Sequence, residues 1–217
     1  MKRIGVVLSG CGFKDGAEIR EAVLALLALD RAGVEVVCAA PDIDQAKVVN
    51  HVTGQVVAEH RNVLVESARI ARGRIRPLSD LSADDIDGLV LPGGFGAANN
   101  LSTFATEGSD AVVEASLRDL IVAVHRQRKP IGAICIAPAV VARVLGSHGV
   151  KVTIGMDGDT ARAIEATGAR HERCPVEGIV VDPENRVVST PAYMYDAPLR
   201  AVAAGIELCV AEVLRMV

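Results

Sequence analysis

The chain alternates short, nearly unbroken apolar runs with longer stretches in which apolar residues recur every three or four positions. Residues 3–9 are almost continuously apolar, which predicts a parallel strand covered on both faces. Residues 15–32 turn to helical spacing, with Ile19, Val23, Leu26 and Leu27 as the apolar stripe and Gly33 as the stop. Residues 34–40 predict a second strand, closed by Pro41 and Asp42, and residues 87–91 another that ends in Pro92-Gly93-Gly94-Phe95-Gly96. Val113, Leu117, Leu120, Ile121 and Val124 mark a further helix, followed by a short buried strand through Ile131, Ala133 and Ile134. Beyond it, residues 151–154 and 178–181 predict short strands, and residues 186–190 pair with the latter through a turn at Asp182-Pro183-Glu184-Asn185. Residues 197–216 close the chain as a helix. Residues 43–81 have no clean period; they predict an irregular or hairpin excursion around His51 and a helix near 62–72.

Alternating strands and helices of this length predict an α/β fold with a mainly parallel sheet and right-handed crossovers. No repeat, low-complexity linker or composition break divides the chain, so one domain is expected over residues 1–217. Half of the residues are hydrophobic, enough for one sizeable core. A net charge of −4 gives no electrostatic case for nucleic acid or an anionic membrane. Aromatic residues make up 2% and there is no Trp, which argues against base-stacking surfaces. Cys11, Cys38, Cys135, Cys174 and Cys209 form an odd set without a CxxC pair, so neither a disulfide framework nor a zinc ribbon is expected. The set suits a reducing cytoplasm. The amino-terminal apolar run is too brief for a secretory signal, and no apolar stretch reaches membrane-spanning length. A soluble cytoplasmic protein is therefore expected.

Candidate chemistry lies where strands give way to helices. After the strand that ends at Ile134 comes Cys135, and a helical pattern starts directly behind it with Pro138 in the first turn. A thiol at such a corner faces unpaired N–H groups at the positive end of a helix, which favours the thiolate. That is the arrangement of a nucleophile elbow, with Cys in the place of Ser. Free cysteines are also among the most buried residues, and on this segment alone a packing role for Cys135 stays open.

In a doubly wound sheet, ligands bind outside the carboxyl ends of the strands. That rule gathers three segments into one crevice: Ser9-Gly10-Cys11-Gly12 leading to Glu18, Pro92-Gly93-Gly94, and Cys135. Asp15-Gly16-Ala17-Glu18 is close to a capping box, in which Glu18 bonds back to the helix start. Alternatively Glu18 points at Cys135, protonated in a desolvated site, and donates a hydrogen bond to the thiolate. Gly93 and Gly94 form either a simple tight turn or, beside a nucleophile, an oxyanion hole from the N–H groups of Gly94 and Ile136. Gly93 and Cys11 are also pocket candidates, Cys11 as a resolving thiol or as packing. His171-Glu172-Arg173-Cys174 has too few ligands at sensible spacing, so no metal is expected. A dinucleotide site is disfavoured because Asp15 stands where the third fingerprint glycine belongs and would face a pyrophosphate.

The segments Ser9-Gly10-Cys11-Gly12 with Asp15-Gly16-Ala17-Glu18, Leu91-Pro92-Gly93-Gly94-Phe95-Gly96, and Gly132-Ala133-Ile134-Cys135-Ile136-Ala137-Pro138 resemble the PfpI / glyoxalase III-like superfamily. That group includes the parkinsonism-associated deglycase and is related to the class I glutamine amidotransferase fold. His51-Val52-Thr53-Gly54 and Thr190-Pro191-Ala192-Tyr193-Met194 resemble its enhancing-lycopene-biosynthesis subgroup, and the likeness spans nearly the whole chain. The resemblance implies a flavodoxin-like three-layer sandwich, a nucleophilic Cys135, a Glu18 partner and a homodimer. It also implies a glutathione-independent glyoxalase that needs no cofactor. Such an enzyme takes a small dicarbonyl, glyoxal or methylglyoxal, to glycolate or lactate. The chain departs from the pattern in one place: several members carry a triad His where this sequence reads Thr153-Ile154-Gly155-Met156-Asp157. Amidotransferase and peptidase activities are disfavoured accordingly. His51 enters the crevice from the irregular segment or is structural. The rival reading is a non-enzymatic redox or stress sensor, or a regulator of isoprenoid metabolism, that uses oxidation of Cys135.

Overall fold

In the computed structural model, which describes residues 1–217, the chain starts with β1 (Arg3–Val7), α1 (Ile19–Arg31) and β2 (Glu35–Ala40). The segment without a clean period holds a hairpin of β3 (Val48–Val49) and β4 (Val56–Val57), then α2 (Val63–Ile70) and β5 (Arg76–Pro77). Next come β6 (Gly88–Leu91), the short helices α3 (Phe95–Asn99) and α4 (Phe104–Glu107), and α5 (Ala115–Arg126). The elbow joins β7 (Ile131–Ile134) to α6 (Ala137–Leu145). The remainder is β8 (Lys151–Val152), α7 (Gly158–Ala166), β9 (Arg170–His171), β10 (Val180–Asp182), β11 (Val187–Thr190) and α8 (Leu199–Met216).

One seven-stranded sheet runs β10-β11-β7-β6-β1-β2-β5. Every pairing is parallel except β10 with β11, which the expected turn joins: Asp182 Oδ1 accepts the N–H groups of Glu184 and Asn185 at 3.1 and 3.0 Å. Val140 and Leu145 of α6 with Leu117 and Ile121 of α5 cover one face; Ala22 and Leu29 of α1 with Val202 and Ile206 of α8 cover the other. This is the flavodoxin-like sandwich. Strands β1, β6 and β7 are buried along their length, apart from a half-exposed Arg3, as their apolar runs require. No helix is long and apolar enough to cross a membrane.

Three expectations need correction. Residues 151–154 do not join the main sheet; β8 pairs only with β9, in a separate two-stranded sheet. The first helix begins at Ile19, not near residue 15, because Gly10 and Gly12 at φ of +111° and +133° hold residues 10–16 in a tight loop. That helix also faces the other way from its bulky stripe. Ile19, Val23 and Leu27 are exposed and Leu26 of the same stripe is half-buried against the core, whereas Glu21, Ala22, Ala25 and Leu29 are buried. Small alanines let α1 lie close on the sheet and α8, so the face is set by close approach and not by the largest side chains.

Candidate active site

Strand β7 ends at Cys135, whose φ of +60° is a left-handed conformation that a side-chain-bearing residue adopts only under constraint. Its N–H donates to the Thr190 carbonyl at 2.9 Å, so the neighbouring strand holds the turn in place. Pro138 then opens α6 without wasting a donor. The thiol is 7% exposed, and the N–H groups of Gly94 and Ile136 point at its sulfur. Gly94 reaches that position with φ of +94°. At Gly93 a Cβ would stand 2.5 Å from Cys135 Cβ and 2.8 Å from Glu21 Oε2, so only glycine permits the approach.

The carboxyl beside the thiol is Glu21, not Glu18. Glu21 is wholly buried, lies beside Cys135 across Gly93, and accepts the Gly93 N–H at 3.0 Å and the Tyr193 N–H at 3.2 Å. Glu18 is the N-cap of α1: its side chain accepts the Glu21 N–H at 2.7 Å while its own N–H donates to the Gly93 carbonyl at 2.9 Å. Glu18 still lines the cleft, but its role is capping, and not as the fourth residue of a box begun at Asp15: it is itself the N-cap and bonds forward to Glu21. Glu21 was missed because the bulky stripe through Ile19 and Val23 would turn it away from the sheet. The available signal was Ala22 and Ala25, the small-residue face next to it.

Burial drives the electrostatics. Removal from water, reinforced by Glu18, pushes the Glu21 carboxyl up to about 8, despite its two N–H donors. Burial, then the Glu21 charge, pushes the Cys135 thiol well up as well, against the pull of the Gly94 and Ile136 N–H groups. The expectation of a lowered thiol pKa is thus overturned: two N–H groups do not outweigh burial beside a carboxyl. The pair rests protonated near neutral pH, and Glu21 is poised to exchange a proton with the sulfur. Burial also raises the Glu18 carboxyl.

The thiol opens into a cleft of about 350 Å³ walled by Phe13, Phe95, Tyr193 and Met194, with Glu18 and Asp157 at its polar edge. Asp157 lies in the segment where related sequences carry a triad His, and it caps α7 by accepting the N–H groups of Asp159 and Thr160. No histidine lines the cleft. His51 is held elsewhere: its Nδ1 bonds the Val49 carbonyl at 3.0 Å and its Nε2 accepts the Lys14 N–H at 3.2 Å. Its ring backs Phe13 edge-on at 5.5 Å, so it supports the wall without lining it. Cys11 opens into a different cavity, among Glu59, His60, Arg61, Glu66 and Arg69, and does not join the Cys135 cleft. All five cysteines are free. No cluster of His, Cys, Asp or Glu is grouped to hold a metal.

Residues 11–192 match the DJ-1/PfpI family. The human "Glutamine amidotransferase-like class 1 domain-containing protein 3, mitochondrial" is 46% identical over 224 residues, covering 99% of this chain and 83% of its own length. The zebrafish "ES1 protein, mitochondrial" is 36% identical, covering 98% of this chain and 85% of itself. A crystal structure of an isoprenoid biosynthesis protein with an amidotransferase-like domain, from Ehrlichia chaffeensis, superposes with a TM-score of 0.94 at 40% identity. The match covers 100% of this chain and 99% of that one. Drosophila melanogaster DJ-1beta, at 20% identity and a TM-score of 0.55, covering 99% of this chain and 96% of its own, shares the fold. The expected cytoplasmic location does not stand, because these human and zebrafish relatives, and one from rat, are named as mitochondrial proteins. Free cysteines do not single out the cytoplasm.

Proposed function

The chain belongs to the DJ-1/PfpI family, and from that premise we propose that it is a glutathione-independent glyoxalase acting through Cys135. The observation that carries the reading is a thiol on a positive-φ elbow, set beside the Gly93-Gly94 turn and a wholly buried carboxyl. The substrate class is an α-oxoaldehyde: glyoxal yields glycolate and methylglyoxal yields lactate.

The chemistry is redox-neutral and needs no cofactor. Cys135 Sγ forms a bond to the aldehyde carbon, C1, and its proton passes through Glu21 to the aldehyde oxygen, giving a hemithioacetal. The Gly94 and Ile136 N–H groups face the sulfur and hold negative charge as it shifts toward that oxygen. The reacting form is the fraction in which Glu21 is ionised. Having passed the thiol proton on to oxygen, Glu21 is a carboxylate again and takes the C1 proton to give an enediolate. It returns that proton to C2 while the C1 hydroxyl proton moves to the C2 oxygen, which leaves a thioester. C1 is thereby oxidised and C2 reduced. Water cleaves the thioester, releasing the hydroxy acid and restoring the thiol. A carboxyl with a pKa of about 8 suits a group that must accept and return the same proton near neutrality. Glu18 positions the start of α1 and so holds Glu21 in place.

The rival reading, a redox sensor, requires only that peroxide reach the sulfur. A cleft of about 350 Å³ with four large side chains on its wall is more than peroxide needs, and it favours a carbon-bearing substrate. The expected homodimer is supported by the exposed stripe Ile19, Val23 and Leu27 on α1, and analytical ultracentrifugation tests it. Turnover is tested by following glyoxal and methylglyoxal without glutathione, with wild type and Cys135→Ser side by side. Saturable formation of glycolate or lactate, lost in the variant, is the expected result. Equal rates, or none in either protein, would sink the proposal.

A further inference from the structure

The chain carries three Phe, two Tyr and no Trp, and four of these five aromatic residues border one place. Phe13, Phe95 and Tyr193 wall the Cys135 cleft. A second cavity of about 440 Å³ adjoins it through the shared residues Phe13, Glu18, Tyr193 and Met194, and adds Tyr195. Only Phe104 lies elsewhere, in the core. We infer that this joined cleft is built for an α-oxoaldehyde bearing a neutral, aryl-sized apolar substituent; this rests on the reading of Cys135 as the carbonyl-binding nucleophile. Glyoxal and methylglyoxal would occupy only its inner end.

What the walls present supports this class. Phe13 and Phe95 are 45% and 52% exposed, and the Phe95 N–H donates to the Phe13 carbonyl at 2.7 Å, fixing the two residues side by side. Both tyrosine hydroxyls are already engaged: that of Tyr193 accepts from Arg20 at 3.1 Å, and that of Tyr195 donates to the Cys174 carbonyl at 2.8 Å. The rings therefore offer apolar surface to a ligand, and Met194 adds a soft thioether beside them. Charge argues against an anionic substituent, because Glu18, Asp157 and Asp196 border the joined space and Arg20 is the one cation there. Pockets of several hundred Å³ lined by aromatic groups typically enclose ligands much larger than a three-carbon dicarbonyl.

The test separates binding from turnover. Cys135 is alkylated with iodoacetamide at alkaline pH, and its labelling is followed on its own peptide by mass spectrometry. Two unreactive diols, reduced analogues of phenylglyoxal and methylglyoxal, serve as protectants: 1-phenylethane-1,2-diol and propane-1,2-diol. The phenyl diol is expected to halve the labelling rate at a concentration at least tenfold below that of propanediol. Phe13→Ala and Phe95→Ala, each compared with its own unprotected rate, are expected to shrink that preference at least threefold. Equal protection by the two diols, or none, overturns the inference even if methylglyoxal is turned over. An undiminished preference in both variants overturns the role of these rings. A clear phenyl preference in a protein that converts neither phenylglyoxal nor methylglyoxal sinks the glyoxalase reading and leaves the apolar subsite standing.

Discussion

Cys11 and Cys135 follow parallel strands of the same sheet, and each lies beside a buried glutamate. Glu66, near Cys11, is 5% exposed and clasped by Arg69, whose Nε and Nη2 donate at 2.9 and 3.1 Å, with Arg61 at 3.8 Å. Glu21, beside Cys135, has no ion pair, only the N–H groups of Gly93 and Tyr193. The two arginines give Glu66 the opposite charge that a buried carboxylate needs. Two neutral donors do not offset burial, so Glu21 is left with a pKa of about 8 and a proton to exchange. Both thiols are pushed up by burial, and proximity of a carboxyl does not distinguish them. The Cys135 region is set apart by the missing cation and by the N–H groups of Gly94 and Ile136. On the proposed reading, it is the uncompensated carboxyl, not the thiol alone, that makes the Cys135 region the reaction centre.

The sharpest way to break this comparison is to remove each sulfur. Cys135→Ser is expected to lower kcat/KM for methylglyoxal by about 10³-fold or more, the scale of losing a covalent nucleophile. Cys11→Ser is expected to stay within about twofold, since its cavity is separate. A large loss from Cys11→Ser would mean that the two regions act together.

A smaller effect separates the two carboxyls of α1. Glu21→Gln keeps the shape and removes the titrating group, so kcat is expected to fall about 10²-fold or more, as for a lost general acid–base. Glu18→Gln retains an oxygen that can accept the Glu21 N–H, and its loss is expected to be under about tenfold. Steady-state kinetics on the two variants decide the assignment; the reverse ranking would return the acid–base role to Glu18.

The way the sequence points to Glu18 shows where its reading runs out. Strands β1, β6 and β7 were legible because a covered parallel strand must be apolar throughout, and that leaves a continuous run. The Cys135 corner was legible because a strand pattern stops and a proline-led helix starts with no room for a loop. The orientation of α1 was not, because close packing of Ala22 and Ala25 leaves the larger Ile19 and Val23 outside. Turning that helix the wrong way hides Glu21, and with it the residue that opposes the thiolate. The Tyr193 N–H, which completes the carboxyl's cradle, comes from a turn after β11. There Ala192 sits at φ of +43°, a long-range placement that no local pattern announces. Strand β5 was equally invisible: two residues, Arg76 and Pro77, have no period to read.

The thiol's own titration sharpens the comparison further. Cys135 is expected to react with iodoacetamide more slowly at pH 7 than an ordinary exposed cysteine, with the rate rising roughly tenfold per pH unit on the acid side of its pKa. The Glu21 charge holds the thiol up. Glu21→Gln is therefore expected to speed alkylation at pH 8, by about tenfold, even as it abolishes most turnover. Slower alkylation in that variant would show that the carboxyl activates the sulfur.

The smallest effect concerns stability and fixes the sign of the Glu21 argument. Its carboxyl stands at about 8 in the fold against an ordinary value of 4.5. The native state therefore keeps a proton that the unfolded chain gives up. This contribution is fully present below about pH 4.5 and is lost progressively as pH rises toward 8, beyond which it changes no further. Gln at the same position does not titrate. Between pH 5 and 8 the stability of Glu21→Gln relative to wild type is expected to improve, by on the order of 3–4 kcal/mol. In a protein of this size that is a relative gain of about 7–14 °C in Tm. Comparing the two melting curves across that range cancels the groups they share and isolates residue 21. A difference that does not move with pH would mean Glu21 is already ionised in the fold. The distinction between an uncompensated carboxyl at Cys135 and an arginine-bound one at Cys11 would then fall.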